Sequence, residues 1–404
     1  MSPRPILPSD ALVADPYGAH EMPIYQTSTF TFEHAADAAA LFAGGKAGFV
    51  YTRIGNPTVA QWERRLAELE TAGTGIEAGA LAFSSGMGAI STAVMAAVRA
   101  GDHVVAMEPL YAGTAALMRD VLPRFGVLVT IVAPGDYLVL ERAANRPRTM
   151  VVLIETPGNP TCDIVDIRRT AEIAHNAGAR LFVDNTFATP VLQQPLALGA
   201  DVVLQSSTKY LGGHGTVVGG AVITNDLEFL AGPVQDLRKV LGAVASPHEA
   251  WLLFQGAKTL ELRVERATRT AKDLARMLAA HEMVEWVRYP GLDDDPGHEI
   301  ARRQMKDFGA MLAFGIQGGA EAGAVFMDAL KVAHRAVSLG CTDTLIEHPA
   351  TMTHAHLSAE ERAEAGIVDG LIRVSVGLEP LELLEDDLAA ALQAASAHAV
   401  SHAW

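Results

Sequence analysis

The chain reads as an α/β protein built on a mostly parallel sheet, followed by a smaller C-terminal α+β region. Three observations predict this. Short apolar runs recur between residues 80 and 205, helical patterns separate several of them, and a long apolar stripe after Ser246 leads into further strand-like runs.

Taken in order, the runs are ALAF (80–83), HVVAM (103–107), LVTIV (128–132), MVVLIE (150–155), RLFVD (180–184) and DVVLQ (201–205). Near-continuous apolar character over so short a length is what a strand covered on both faces requires. GMGAISTAVMAAVRAG and DIRRTAEIAHNAGA carry helical spacing and supply the crossovers that parallel strands need. In SPHE, Ser246, Pro247 and Glu249 occupy the N-cap, first and third positions of a capping box, so a helix starts there. Leu253, Ala257, Leu260, Val264, Ala267, Ala271, Leu274 and Leu278 continue it as one stripe, which predicts a single helix of roughly thirty residues. GAMLAFGI and LIRVSVGLE then read as strands, and PLELLEDDLAAALQAASA as an acidic terminal helix. The expected organisation is a large domain over 61–246 and a C-terminal domain with its linking helix over 247–404. The first sixty residues fit neither.

Composition narrows the function classes. Half of the 404 residues are hydrophobic and 19% are charged, which suits a folded chain with a sizeable core. A formal net charge of −16 argues against a nucleic-acid partner, because phosphate backbones demand concentrated Lys and Arg. Cys162 and Cys341 are too few for a disulfide scaffold and lack zinc-site spacing, so a reducing cytoplasm is the expected location. No secretory leader or membrane-spanning run is read, and no membrane partner is expected. His348, His354 and His356 have no carboxylate or cysteine at ligand spacing and are read as loop residues, with no metal site.

Chemistry concentrates in SSTKYLGGHG, residues 206–215. Ser206, Ser207 and Thr208 offer hydroxyl donors, and Gly212, Gly213 and Gly215 permit sharp turns and close approach, a setting for a phosphate. Lys209 inside it becomes a nucleophile toward an aldehyde once desolvated. Pyridoxal phosphate combines both groups. Asp184 closes an apolar strand and suits the protonated ring nitrogen of that cofactor. FSSGMGAIS puts Gly86 and Met87 at a helix start whose free amides suit a phosphate, and Tyr111 follows a strand where an aromatic could stack on a ring. In LIRVSV, Arg373 and Ser375 share one strand face, so Arg373 must meet something polar, for which an interdomain ion pair is one candidate.

YTRIGNPT, SSGMGAI, ETPGNP, VDNTFATP, SSTKYLGGHG, SPHEA, EHPATMTH and LIRVSVGLE stand in one order along nearly the whole chain. In this the sequence resembles the Cys/Met metabolism (trans-sulfuration) family of pyridoxal phosphate enzymes, with wording nearest to the methionine gamma-lyases. The resemblance implies a fold-type I, aspartate aminotransferase-like architecture and a homotetramer of two active dimers. It implies Lys209 as the Schiff-base lysine, Asp184 as the pyridinium partner, and Tyr111 as a ring-stacking acid/base group. Gly86, Met87, Ser206 and Thr208 match the phosphate cradle, while Tyr51 and Arg53, in an N-terminal arm of residues 1–60, match the pair given to the neighbouring subunit. Arg373 matches the residue for the substrate's alpha-carboxylate, with Ser338 and Asn159 holding substrate and ring.

The implied reaction is gamma-elimination on a gamma-substituted amino acid, giving a 2-oxo acid, ammonia and the leaving group. O-acetyl- or O-succinylhomoserine sulfhydrylase and cystathionine gamma-lyase or synthase are the alternatives. A catalytically silent protein of the same fold is disfavoured by the intact Lys209, Asp184 and Arg373. Four positions depart from the methionine or cystathionine lyase patterns: Gly113 in place of Cys, Arg238 and Lys239 in place of Lys-Asp, and Val337 in place of Glu. They predict extra space near the departing group, two positive charges where a balanced pair would stand, and no partner for a distal ammonium.

Overall fold

The computed structural model describes all residues except 1–6, 13, 14, 44, 354, 356–359, 361, 363–366 and 402–404. Its larger sheet contains β1 (Gly79–Phe83), β2 (His103–Met107), β3 (Leu128–Val132), β4 (Thr149–Glu155), β5 (Arg180–Asp184), β6 (Val202–Gln205) and β7 (Gly220–Thr224). Their spatial order is β1-β7-β6-β5-β4-β2-β3. The run from β3 to β6 is parallel, and β7 lies antiparallel to both β1 and β6. All six expected strands are present within a residue at each end. β7 was not anticipated, because GAVIT follows a glycine-rich loop without helical spacing before it.

Alternate residues of the central strands enter different cores, as the two-residue pleat requires. Val104, Val151, Leu153 and Phe182 pack with the helix Gly86–Ala97, whereas Val105, Val152, Ile154 and Val183 pack with residues of Tyr137–Ala144 and Ile167–Asn176. Helices therefore cover both faces, and the C-terminal strand ends stay available for ligands.

The second sheet contains β8 (Val284–Arg288), β9 (Met311–Ile316), β10 (His334–Arg335), β11 (Leu345–Glu347) and β12 (Leu371–Ser375), in the order β10-β11-β12-β9-β8. The helix Leu381–Ser401 follows it. The apolar stripe after Ser246 forms two helices, Pro247–Ala257 and Leu260–Ala279, not one. The capping box at Ser246 is present. The break falls where the first helix meets the Lys209 loop. A Cβ on Gly256 would lie 2.2 Å from Gly212 O, and the Gly256 carbonyl accepts a hydrogen bond from Arg263 Nη2 at 2.8 Å.

β1 is an outer strand, and its exposed backbone edge is closed by charge. Glu63 Oε1 accepts from Ala82 N at 2.9 Å and from Arg238 Nη1 at 2.6 Å, while Arg238 Nη1 also donates to Ala82 O at 2.8 Å. Both side chains are almost fully buried, at 2% and 1% exposure. Arg238 is thus consumed by the fold and adds no free charge to a substrate pocket.

Candidate active site

The C-terminal ends of β4, β5 and β6 carry Glu155, Asp184 and the Ser206–Lys209 turn. Lys209 N donates to Ser206 O at 3.1 Å, and Gly213 N to Lys209 O at 2.8 Å, so the loop wraps tightly around the lysine. Gly213 has φ +70°, and a Cβ there would lie 2.0 Å from Arg263 Nη1. Glycine is needed at this point for both conformation and space. Arg263 Nη1 in turn donates to Tyr210 O at 2.9 Å and pins the loop to the helix pair.

Lys209 Nζ donates to Ser338 Oγ at 3.0 Å. Burial, and then the Arg373 charge, lower its pKa from the ordinary lysine value. That is the direction an amine nucleophile and base requires. Asp184 is buried, and both of its side-chain hydrogen bonds among the described residues, from Thr186 N at 3.0 Å and Thr186 Oγ1 at 2.6 Å, fall on Oδ1. Burial raises its pKa, opposed by the Thr186 bonds. Thr186 Oγ1 also accepts from Ser206 N at 2.8 Å, tying the aspartate to the lysine turn.

Gly86 opens its helix after the N-cap Ser85, whose side chain accepts from Gly88 N at 3.0 Å. A Cβ on Gly86 would lie 2.9 Å from Ser206 Cβ, so two halves of the expected phosphate cradle meet here because residue 86 lacks a side chain. The Thr208 hydroxyl donates to Gly219 O at 3.1 Å and accepts from Gly219 N at 3.0 Å, which leaves Ser206 the freer hydroxyl. Ser207 Oγ is buried and has no hydrogen-bond partner among the described residues.

Arg373 on β12 is 4% exposed. Its Nη2 lies 2.6 Å from Glu347 Oε2, directly opposite on β11, and donates to Ser338 O at 3.1 Å. Its Nη1 donates to Asn159 Oδ1 at 2.8 Å. The ion pair is therefore within one sheet, and the link to the other is the Asn159 bond. Arg373 Nε is buried without a partner among the described residues, which leaves a donor for a carboxylate. Lys209 and Arg373 converge on Ser338, one through its hydroxyl and the other through its carbonyl.

Tyr111 precedes the short helix Ala112–Ala116 and is 48% exposed. Met87 Sδ and Tyr111 Cε1 would lie 2.9 and 2.8 Å from a Cβ on Gly113. The expectation of extra space at Gly113 is overturned: the Tyr111 ring and Met87 fill it. Arg238 is paired in the core, and Lys239 Nζ pairs with Asp236 Oδ1 at 2.9 Å, so the expectation of two unbalanced positive charges in the pocket fails as well. Val337 is 57% exposed and apolar.

Tyr51 and Arg53 lie apart from this group. Arg53 stands 5.5 Å from the Tyr51 ring centroid, and its Nη1 donates to Lys239 O at 2.7 Å. Among the described residues neither side chain hydrogen-bonds to Lys209, Asp184, Ser206 or Arg373. His348 Nε2 donates to Asp369 O at 2.7 Å and its Nδ1 is hydrogen-bonded to Thr351 Oγ1 at 2.8 Å, while His354 and His356 lie outside the described residues. Sequence reasoning missed Glu155, Thr186, Arg263 and Glu347. Glu155 offered a signal, an acidic residue ending an apolar strand as Asp184 does.

The donor set fits pyridoxal phosphate: a desolvated amine, a buried carboxyl with one oxygen unused among the described residues, and a side-chain-free helix start against a serine.

Residues 10–393 match the family described as Cys/Met metabolism PLP-dependent enzyme. The chain is 48% identical over 380 residues to an L-methionine gamma-lyase of Fusobacterium nucleatum, covering 93% of this chain and 94% of that one. It is 43% identical over 385 residues to an O-succinylhomoserine sulfhydrylase of Pseudomonas aeruginosa, covering 94% and 92%. The solved structure of cystathionine gamma synthase from Xanthomonas oryzae pv. oryzae, in complex with aminoacrylate and cysteine, superposes with a TM-score of 0.87 at 39% identity over 97% of this chain and 99% of that one.

Proposed function

The chain belongs to the Cys/Met metabolism family of pyridoxal phosphate-dependent enzymes, and from that premise we propose that it is a gamma-lyase. It acts on gamma-substituted homoserine or homocysteine derivatives, methionine among them, and releases a 2-oxo acid, ammonia and the gamma substituent. The observation that carries this reading is the meeting of Lys209 Nζ and Arg373 on Ser338, which puts a desolvated amine beside a carboxylate-binding guanidinium.

Lys209 would hold the cofactor's aldehyde carbon, Asp184 its ring nitrogen and Tyr111 one ring face. The amides of Gly86 and Met87, with the hydroxyls of Ser206 and Thr208, would hold its phosphate. When bound, pyridoxal phosphate supplies an electron sink that stabilises negative charge on the substrate's alpha carbon. Arg373 binds the substrate carboxylate, using the unpaired Nε–H, and Asn159 keeps the guanidinium in place. Lys209 Nζ takes the alpha proton; its lowered pKa favours the neutral amine that can do so. The Tyr111 hydroxyl, on a half-exposed side chain, gives a proton to the departing gamma group.

A panel of methionine, homocysteine, cystathionine, O-acetylhomoserine and canavanine tests the reading, scored for 2-oxo acid and ammonia with and without sulfide. Release of 2-oxobutyrate and ammonia from methionine without sulfide is expected. Turnover only of an activated homoserine ester plus sulfide would make the protein a sulfhydrylase. Val337 offers no carboxylate to a distal ammonium, so a strong preference for cystathionine would contradict the pocket argument.

The same reading includes a homotetramer of two active dimers, in which Tyr51 and Arg53 serve the neighbour's Lys209. Support comes from their separation from Lys209 within the chain and from the exposed Val240 (81%) and Leu241 (50%) beside Lys239. A cytoplasmic location is part of it, supported by the two free cysteines; no helix among the described residues is long and apolar enough to cross a membrane. Exchanging Arg53→Ala and Lys209→Ala subunits should restore activity, up to about a quarter of wild type if exchange is random, because each mixed dimer keeps one intact site. No recovery after verified exchange would put the clamp and the lysine on the same chain.

A further inference from the structure

We infer that Glu155 is a positioning residue whose single carboxyl group fixes Tyr111 and Asn159 in place around Asp184. The inference rests on the roles proposed above for those three residues and for Arg373.

Glu155 ends β4 and stands opposite Asp184 in the parallel ladder, so both carboxyls sit at the same level of the sheet. Its Oε2 accepts from Tyr111 N at 2.7 Å and its Oε1 from Asn159 N at 3.0 Å. Each oxygen thus secures one side of the site. Tyr111 needs this anchor: its side chain is 48% exposed, it forms no side-chain cap on the helix it precedes, and that helix has only 5 residues. The other bond continues further. Asn159 Oδ1 accepts from Arg373 Nη1 at 2.8 Å, so Glu155, Asn159 and Arg373 form a relay from the seven-stranded sheet to the five-stranded one.

A buried carboxyl is an expensive way to satisfy two backbone amides. Glu155 is 5% exposed, and burial, then the Asp184 charge, push its pKa well above the usual carboxylate range. A neutral polar side chain with one acceptor would not serve instead, because the two amides approach different oxygens. Two acceptors at this spacing on one short side chain call for a carboxyl.

Glu155→Gln tests this with little change in size. One terminal oxygen becomes an NH₂ group that faces an amide donor, so either the Tyr111 or the Asn159 anchor is lost. In the holoenzyme, kcat/KM should fall on the order of 10- to 100-fold. The apoprotein should bind pyridoxal phosphate about tenfold more weakly in a fluorescence titration, with its Tm close to wild type. The KM component of the Gln effect should shrink in an Asn159→Ala background, where the relay to Arg373 is already cut. Glu155→Asp, too short to reach both amides, should resemble Gln. Wild-type cofactor affinity and turnover in Glu155→Gln would overturn the inference, as would equal losses of activity and Tm, the mark of a purely structural carboxyl. Failure of the wild-type protein itself to take up pyridoxal phosphate would instead overturn the functional reading on which the inference depends.

Discussion

Lys209→Ala should lower kcat by roughly 10³-fold or more, because one substitution removes both the atom that holds the cofactor and the base that takes the alpha proton. The fold should survive. Among the described residues Lys209 Nζ makes one hydrogen bond, to Ser338 Oγ, and the loop around it is held by backbone bonds and by Arg263, which the substitution leaves in place. Because burial already disfavours the charged amine, its removal costs the folded state little. Added small primary amines such as methylamine should return part of the lost turnover by replacing the proton carrier. Steady-state kinetics with Tm measured on the same sample checks this. Near-normal turnover in a well-folded Lys209→Ala protein would reject the assignment of the site.

Asp184→Asn should reduce kcat on the order of 10²- to 10³-fold, since a neutral amide cannot hold a proton on the ring nitrogen as an anion can. Stability should move differently. A carboxyl whose pKa is higher folded than unfolded binds its proton more tightly in the native state, so it disfavours folding once pH rises past the unfolded value. Replacing it with neutral Asn at pH 7 should therefore leave the apoprotein at least as stable, provided the amide oxygen takes over the Thr186 bonds. Kinetics on the cofactor-loaded protein and melting of the apoprotein separate the two effects. Parallel losses of activity and stability would identify Asp184 as structural.

The parallel core of the fold was legible because buried strands demand unbroken apolar runs, which stand out against the helices between them. The break at Lys258–Thr259 was not, since the four-and-three spacing of apolar residues continues in phase from Leu253 to Leu278 across it. Only the approach of Gly256 to the Lys209 loop reveals why one helix becomes two. Lys209, Asp184 and Arg373 could be picked out because each breaks the local pattern with a charge that an apolar strand or a glycine turn does not need. Glu63 and Arg238 could not be paired in advance, because the two lie 175 positions apart and meet on the edge of β1. The same blindness produced the error over pocket charge. Gly113 misled for a related reason: a missing side chain means open space only if nothing else occupies it, and Tyr111 and Met87 do. Tyr51 and Arg53 carry no local signal at all, and their proposed role depends on a second chain.

The central claim is that Lys209 carries pyridoxal phosphate, and covalent trapping tests it most directly. Purified protein loaded with the cofactor is treated with borohydride, digested, and its peptides are sequenced by mass spectrometry. The account predicts bleaching of the yellow colour and a pyridoxyl phosphate adduct on Lys209, with no adduct at that peptide in Lys209→Ala. An adduct on another lysine, or reduction that leaves Lys209 unmodified, would contradict it.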